Sequence, residues 1–147
     1  MSLNIDLLER SFALVKGNGE KFASQFYANL FLDYPALKPL FAHTQFKMQG
    51  EKLFASLVFV VDNLKQPEAL DSALKGLGTR HVKYGVLPQH YPFVGASLLK
   101  TFEAALGETD WTPEVQQAWA DAYGAVTQLM LGGADYPPEI LNLSIGD

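Results

Sequence analysis

His81 lies four residues after Leu77, which follows Leu74 and Leu70 at the spacing of one helix face, so its imidazole is expected to point inward with that stripe. A buried neutral imidazole must satisfy two ring nitrogens. A metal ion on one nitrogen and a backbone carbonyl one turn back on the other would do so and would fix the tautomer. Two ordinary hydrogen bonds in a core would do so as well. Gln49 heads a second stripe, Leu53, Leu57 and Val61, where its amide either joins the apolar face or sits at the surface near a helix start. Tyr27 falls in a strongly aromatic segment, as a core tyrosine with its hydroxyl at a boundary. His43 and His90 share no face with each other or with His81, which gives little support to a multi-histidine zinc site. Other chemistries find no frame: no strand precedes Gly17-Asn18-Gly19, as a phosphate cradle would need, and no nucleophile-elbow sequence occurs.

The elements that must position these residues read as helices throughout. Ile5, Leu8, Phe12 and Val15 predict a helix over 4–15 with Asn4 as its cap, closed by the Gly-Asn-Gly at 17–19. A second helix over 20–32 carries Phe22, Phe26 and Leu30, with Ala23, Tyr27 and Phe31 beside them. Pro35 opens a short helix ending near Phe41. The β-branched run Ser56 to Val61 has strand-like composition, but Gln49, Leu53, Leu57 and Val61 recur every four residues and Phe54 and Val58 fill the same face. That spacing predicts a helix over 46–64. Helices over 68–80, 88–106 and 112–131 follow, separated by Gly85 and Pro88, then Gly107, and ended by Gly132-Gly133 and Pro137-Pro138. The expected class is all-α, about seven helices with short loops, in one domain over 1–134 with a tail over 135–147.

Composition narrows the function. Of the 147 residues 48% are apolar, enough for a substantial core. A formal charge of −5 disfavours a nucleic-acid partner, which demands a basic face. No segment reaches the length of a membrane span and no signal pattern opens the chain, so no membrane association is expected. Zero cysteines exclude disulfides and thiolate chemistry and agree with a cytoplasmic location.

Longer strings add a resemblance. Phe26-Tyr27-Ala28-Asn29-Leu30-Phe31, then Tyr34-Pro35-Ala36-Leu37-Lys38-Pro39-Leu40-Phe41, resembles the helix B to helix C region of bacterial haemoglobins and flavohaemoglobins. So does the stretch from Leu77 through His81 to Val86, followed by Gln89-His90-Tyr91-Pro92-Phe93-Val94-Gly95. Ala118-Trp119 to Tyr123-Gly124 resembles that family's last helix, so the likeness is colinear from about residue 5 to residue 131. It implies a single-domain globin fold around haem b, with His81 as proximal iron ligand and Phe41 stacked on the porphyrin. It places Tyr27, Gln49 and Leu53 on the distal side, Tyr91 near His81, and Val94 against the haem; Arg80 and Lys83 would flank His81 as partners for the haem propionates. Dioxygen, nitric oxide and carbon monoxide would be the ligands, with Tyr27 and Gln49 donating hydrogen bonds to a ligand that gains partial negative charge.

The resemblance has two departures. Flavohaemoglobins continue into flavin and nicotinamide domains, absent from these residues, so conversion of nitric oxide to nitrate would need a separate reductase. Their last helix also carries a glutamate that polarises the proximal histidine. Ala134 stands at that position, with the shorter Asp135 beside it, which argues against peroxidase-like activity. The alternative role is a haem-based gas-sensor domain signalling through the tail after Asp135.

Overall fold

A computed structural model describes residues 3–83 and 88–133 of the chain. The tail over 135–147, Ala134, and the expected turn at Gly85 lie outside the described residues.

Two of the described helices start on a side-chain cap. α1 (Ile5–Val15) is capped by Asn4, whose side-chain oxygen accepts from the Leu7 N–H at 3.3 Å. It buries Leu8, Phe12 and Val15, the face its spacing predicts. A 3₁₀ turn (Lys16–Asn18) joins it to α2 (Gly19–Asp33), which buries Phe22, Ala23, Phe26, Tyr27 and Leu30. The segment Pro35–Phe41 is a 3₁₀-helix, opened by a proline whose missing N–H costs nothing in a first turn. α3 (Phe46–Asp62) absorbs the whole β-branched run as helix. α4 (Pro67–Lys83) runs three residues past Arg80, because nothing between Thr79 and Lys83 breaks a helix, and His81 therefore lies inside it. A 3₁₀ turn (Pro88–His90) precedes α5 (Tyr91–Asp110), so this helix starts three residues later than the spacing predicts, with Pro92 in its first turn. Gly107 kinks α5 with φ 75°. α6 (Pro113–Gly133) is capped by Thr112, whose hydroxyl accepts from the Val115 N–H at 3.2 Å, and passes through the glycines expected to stop it.

Two apolar clusters hold these helices. The larger joins α1, α2, α5 and α6 through rings: Phe102 stacks on Trp119 at 4.1 Å between centroids and meets Phe22 at 4.7 Å. Full burial of one such side chain contributes about 1.5–3 kcal/mol. Two polar pairs cross it, the Trp119 indole N–H donating to the Ser11 hydroxyl at 2.9 Å and the Asn29 amide to the Thr101 hydroxyl at 3.1 Å. The smaller cluster is Leu70 and Leu74 of α4, Tyr91 of α5 and Met130 of α6.

α4 lies along α6, while α3 rests on α2 and α1. Among the described residues α3 and α4, although consecutive, hardly touch. Leu53, Leu57, Val58 and Val60 of α3 are only half-buried, as are Leu77 and His81 of α4.

Candidate functional site

The α4 stripe behaves as a graded face. Leu70 and Leu74 are buried in the smaller cluster, and Leu77 and His81, the next two steps of the same stripe, are half-buried. His81 Nδ1 is 2.8 Å from the Leu77 carbonyl oxygen. A carbonyl only accepts, so Nδ1 carries the proton and donates, and the lone pair of the neutral ring belongs to Nε2. Burial pushes the imidazole below its usual 6.5; the Leu77 carbonyl works against this, and the Arg80 charge adds to it. The ring is thereby held neutral at pH 7, the form a metal requires.

Tyr27 and Gln49 come together where α2 meets α3. The Tyr27 phenol is pushed above 10.0 by burial, and a hydrogen-bonding interaction with the Gln49 side chain pulls it part of the way back. The approach needs small residues: a Cβ built on Gly50 would sit 3.1 Å from the Ala23 Cβ, so a larger side chain there would wedge the helices apart. Aromatic rings surround the phenol, with Phe41 at 5.7 Å and Phe46 at 5.4 Å, both edge-on. Leu53, one turn beyond Gln49, and Val94 on α5 are both half-buried against the larger cluster.

Tyr91 belongs to the smaller cluster, against which Leu77, the residue that orients His81, also packs. Arg80 is exposed, and the Lys83 side chain lies outside the described residues. The candidate residues thus form two groups. Tyr27, Gln49 and Phe41 gather at the start of α3, and His81 and Tyr91 belong to the α4 side.

Two features escaped the sequence reading. Phe46 joins the rings around Tyr27; its only signal was a large apolar residue at an exposed helix start. Tyr123 donates from its hydroxyl to the Tyr91 carbonyl at 2.7 Å and fixes the start of α5 to α6. Its ring fills the space over Gly95, where a Cβ would come within 2.6 Å of it. Burial raises the Tyr123 phenol far above its ordinary value, so it remains a donor.

This helix order, with a short 3₁₀-helix after α2 and a half-buried histidine in α4, defines an all-α domain of the globin class. The globin family profile matches residues 24–130, and the chain belongs to the globin family. Membership implies haem as the bound group. A flavohemoprotein of Deinococcus radiodurans is 34% identical over 128 residues, covering 86% of this chain and 32% of its own length. One from Pseudomonas putida is 30% identical over 131 residues, covering 88% of this chain and 33% of its own. The chain therefore spans about a third of the length of the curated relatives it matches. Among solved structures, a bacterial globin from Campylobacter jejuni has TM-score 0.76 and 28% identity, covering 88% of this chain and 92% of that one. An engineered carbene transferase, made from a Rhodothermus marinus protein with a provisional nitric oxide dioxygenase assignment, has TM-score 0.76 and 26% identity over 86% of this chain and 87% of that one. No helix among the described residues is long and apolar enough to cross a membrane.

Proposed function

We propose that the chain binds haem b through His81, takes up dioxygen reversibly along with nitric oxide and carbon monoxide, and turns nitric oxide over to nitrate when a separate reductase serves it. The observation that carries this reading is the His81 geometry: Nδ1 committed to Leu77, the lone pair on Nε2, and a half-buried ring held neutral. When bound, the haem supplies a ferrous iron able to take a diatomic ligand. Every other requirement falls to the chain. Phe41, Leu53 and Val94 offer apolar wall to the porphyrin and restrict water. Exposed Arg80 suits a haem carboxylate at the surface. Tyr91, held by Tyr123, buttresses the α4 turn that aims His81. Nitric oxide, dioxygen and one electron balance to nitrate, which is why repeated turnover requires the reductase. The globin domain is placed at 1–134, with the tail at 135–147, and the cytoplasm provides both the reducing setting and the electron donor.

Absorption spectra of the purified protein test the reading directly. A Soret band is expected in the ferric state, shifting on reduction with dithionite and again on exposure to oxygen. Failure to take up hemin would remove every assigned role.

Tyr27 and Gln49 are the proposed hydrogen-bond donors to the ligand. A bond to a partly charged acceptor contributes about 1–3 kcal/mol, and about 1.4 kcal/mol is tenfold in a rate or equilibrium. Tyr27→Phe is therefore expected to speed oxygen dissociation about tenfold or more, measured by displacement with carbon monoxide in stopped flow. Carbon monoxide polarises less, and its own dissociation should change less. An unaltered oxygen off-rate would show that the Tyr27 hydroxyl does not donate to the ligand.

A further inference from the structure

Three exposed lysines gather around the start of α3. Lys47 lies in its first turn, and Lys52 follows Met48 by four residues on the same side of the helix. Lys38 precedes Phe41 by three residues in the 3₁₀-helix, a spacing that sets the two one above the other, and the Phe41 ring stacks on Phe46 at 6.1 Å. Beside these charges two large apolar side chains are left in water, Phe46 at 44% and Met48 at 53% exposure. We propose that this patch is the docking face for the electron donor, a small acidic protein with a one-electron centre, of the flavodoxin kind. The proposal rests on the haem-globin reading and gives the reductase which that reading requires a place and a chemistry. One electron leaves the donor's reduced flavin and turns ferric iron ferrous, and no atom is transferred.

Charge selects the partner. Between Asp33 and Asp62 the sequence holds one acid, Glu51, against the three lysines. Among the described residues, ion pairs join Arg10 to Asp6, Lys75 to Asp71 and Lys100 to Asp33, and use none of the three. The rest of the chain is unlike this patch. None of its 11 basic residues follows Lys100, while eight of its 16 acidic residues do, and Glu114 and Asp121 of α6 line a hollow with Asn4 at the start of α1. An acidic partner is therefore repelled by much of the surface and attracted at the start of α3, which orients the encounter. Size and position agree. Transient electron-transfer contacts are small, below about 1,200 Å² in total, with an apolar centre and a charged rim. A donor seated on Phe46 and Met48 is one ring from Tyr27, whose centroid lies 5.4 Å from that of Phe46, and Gln49 is the next residue after Met48. An anionic membrane is a poorer fit, since lipid-binding clusters carry about 4–8 basic residues and this one has three with an acid among them.

A flavodoxin should bind the carbon monoxide form of the wild type at low salt, measured by isothermal titration calorimetry. Raising the salt from about 0.01 M to about 0.15 M shortens the screening length from about 30 Å to about 8 Å and should weaken binding about tenfold. Lys47→Glu/Lys52→Glu should lose about tenfold or more at low salt. Lys16→Glu/Lys65→Glu has the same net charge, changes two exposed lysines outside the patch, and should keep most of the affinity. Met48→Ser should weaken binding several-fold at either salt concentration, because its contribution is apolar. Reduction rates with the same flavodoxin should follow the same order. Equal affinities in the two double variants, or binding indifferent to salt, would overturn the proposal. So would a chain that binds phosphatidylglycerol vesicles through Lys47 and Lys52 and binds no flavodoxin, which would give the patch to a membrane surface. Hemin uptake with a normal dithionite-reduced spectrum but no flavodoxin binding would overturn the docking face alone. Failure to take up hemin would overturn the haem reading and, with it, the need for a donor.

Discussion

Replacing His81 with alanine should abolish stable haem uptake while leaving a helical chain. The two outcomes separate because α4 is held by other residues. Leu70 and Leu74 are buried against Tyr91 and Met130, and His81 contributes only a half-buried ring one turn beyond Leu77. Loss of the ring removes the Nε2 lone pair and leaves a small void. Removing a mere outer hydrogen-bond partner of a metal ligand costs about 10–100-fold in affinity, and loss of the ligand itself should exceed that. Stability should follow by mass action. Haem at a hundredfold excess over its Kd adds about 2.7 kcal/mol to the native state, or roughly 5–10 °C in a domain of this size. That increment should appear in the wild type and vanish in the variant, whose circular dichroism should still report helix. Added imidazole should enter the void and restore a Soret band, a rescue that a purely structural histidine would not show. A His81→Ala protein with the wild-type ferric, ferrous and oxygenated spectra would remove His81 from the site.

The sequence exposed the parts of this molecule that depend on periodicity. Apolar residues at intervals of three and four located the helices, turned the Ser56 to Val61 run into helix against its composition, and aimed Leu77 and His81 inward. Periodicity speaks of one helix at a time. That His81 donates to Leu77 follows from α4 alone and was legible as a carbonyl one turn back. That Tyr27 interacts with Gln49 depends on how closely α2 and α3 approach at Ala23 and Gly50, which no single stripe encodes. The ring of Phe46 beside Tyr27 and the Tyr123 bond to the Tyr91 carbonyl are of the same kind, contacts between elements whose relative placement was unknown. Boundaries erred where the stop signal was weak. α4 continued through Lys83 because no breaker stands between Thr79 and Lys83, and α6 through Gly133, since a glycine at a helix end weakens the helix by only about 1 kcal/mol and does not forbid it.

Gly78 and Gly76 should respond to alanine in opposite directions, although both lie in α4 only two residues apart. In a solvated helix interior the change is worth up to about 1 kcal/mol of added stability, from helix propensity and a less flexible unfolded chain. A Cβ on Gly76 would meet only the Arg80 guanidinium, at 3.6 Å, which is ordinary contact, so Gly76→Ala should realise that gain. Gly78 is buried, and a Cβ there would overlap the carbonyl oxygen of Met130 in α6 and come within 2.6 Å of its carbonyl carbon. Backbone cannot rotate away as a long side chain can. Gly78→Ala must therefore push α4 from α6, loosening the cluster of Leu70, Leu74, Tyr91 and Met130. Overpacking of this kind costs about 1–3 kcal/mol, which outweighs the propensity gain. Urea midpoints at constant m-value should rise for Gly76→Ala and fall for Gly78→Ala; equal shifts would refute the close approach of the two helices. The displacement also reaches the site. Gly78 follows Leu77 directly and precedes His81 by three residues, so moving α4 outward shifts both the carbonyl that orients the imidazole and the imidazole itself. Haem retention should therefore weaken in Gly78→Ala and remain intact in Gly76→Ala, linking the absence of one methyl group between α4 and α6 to the aim of the proposed iron ligand.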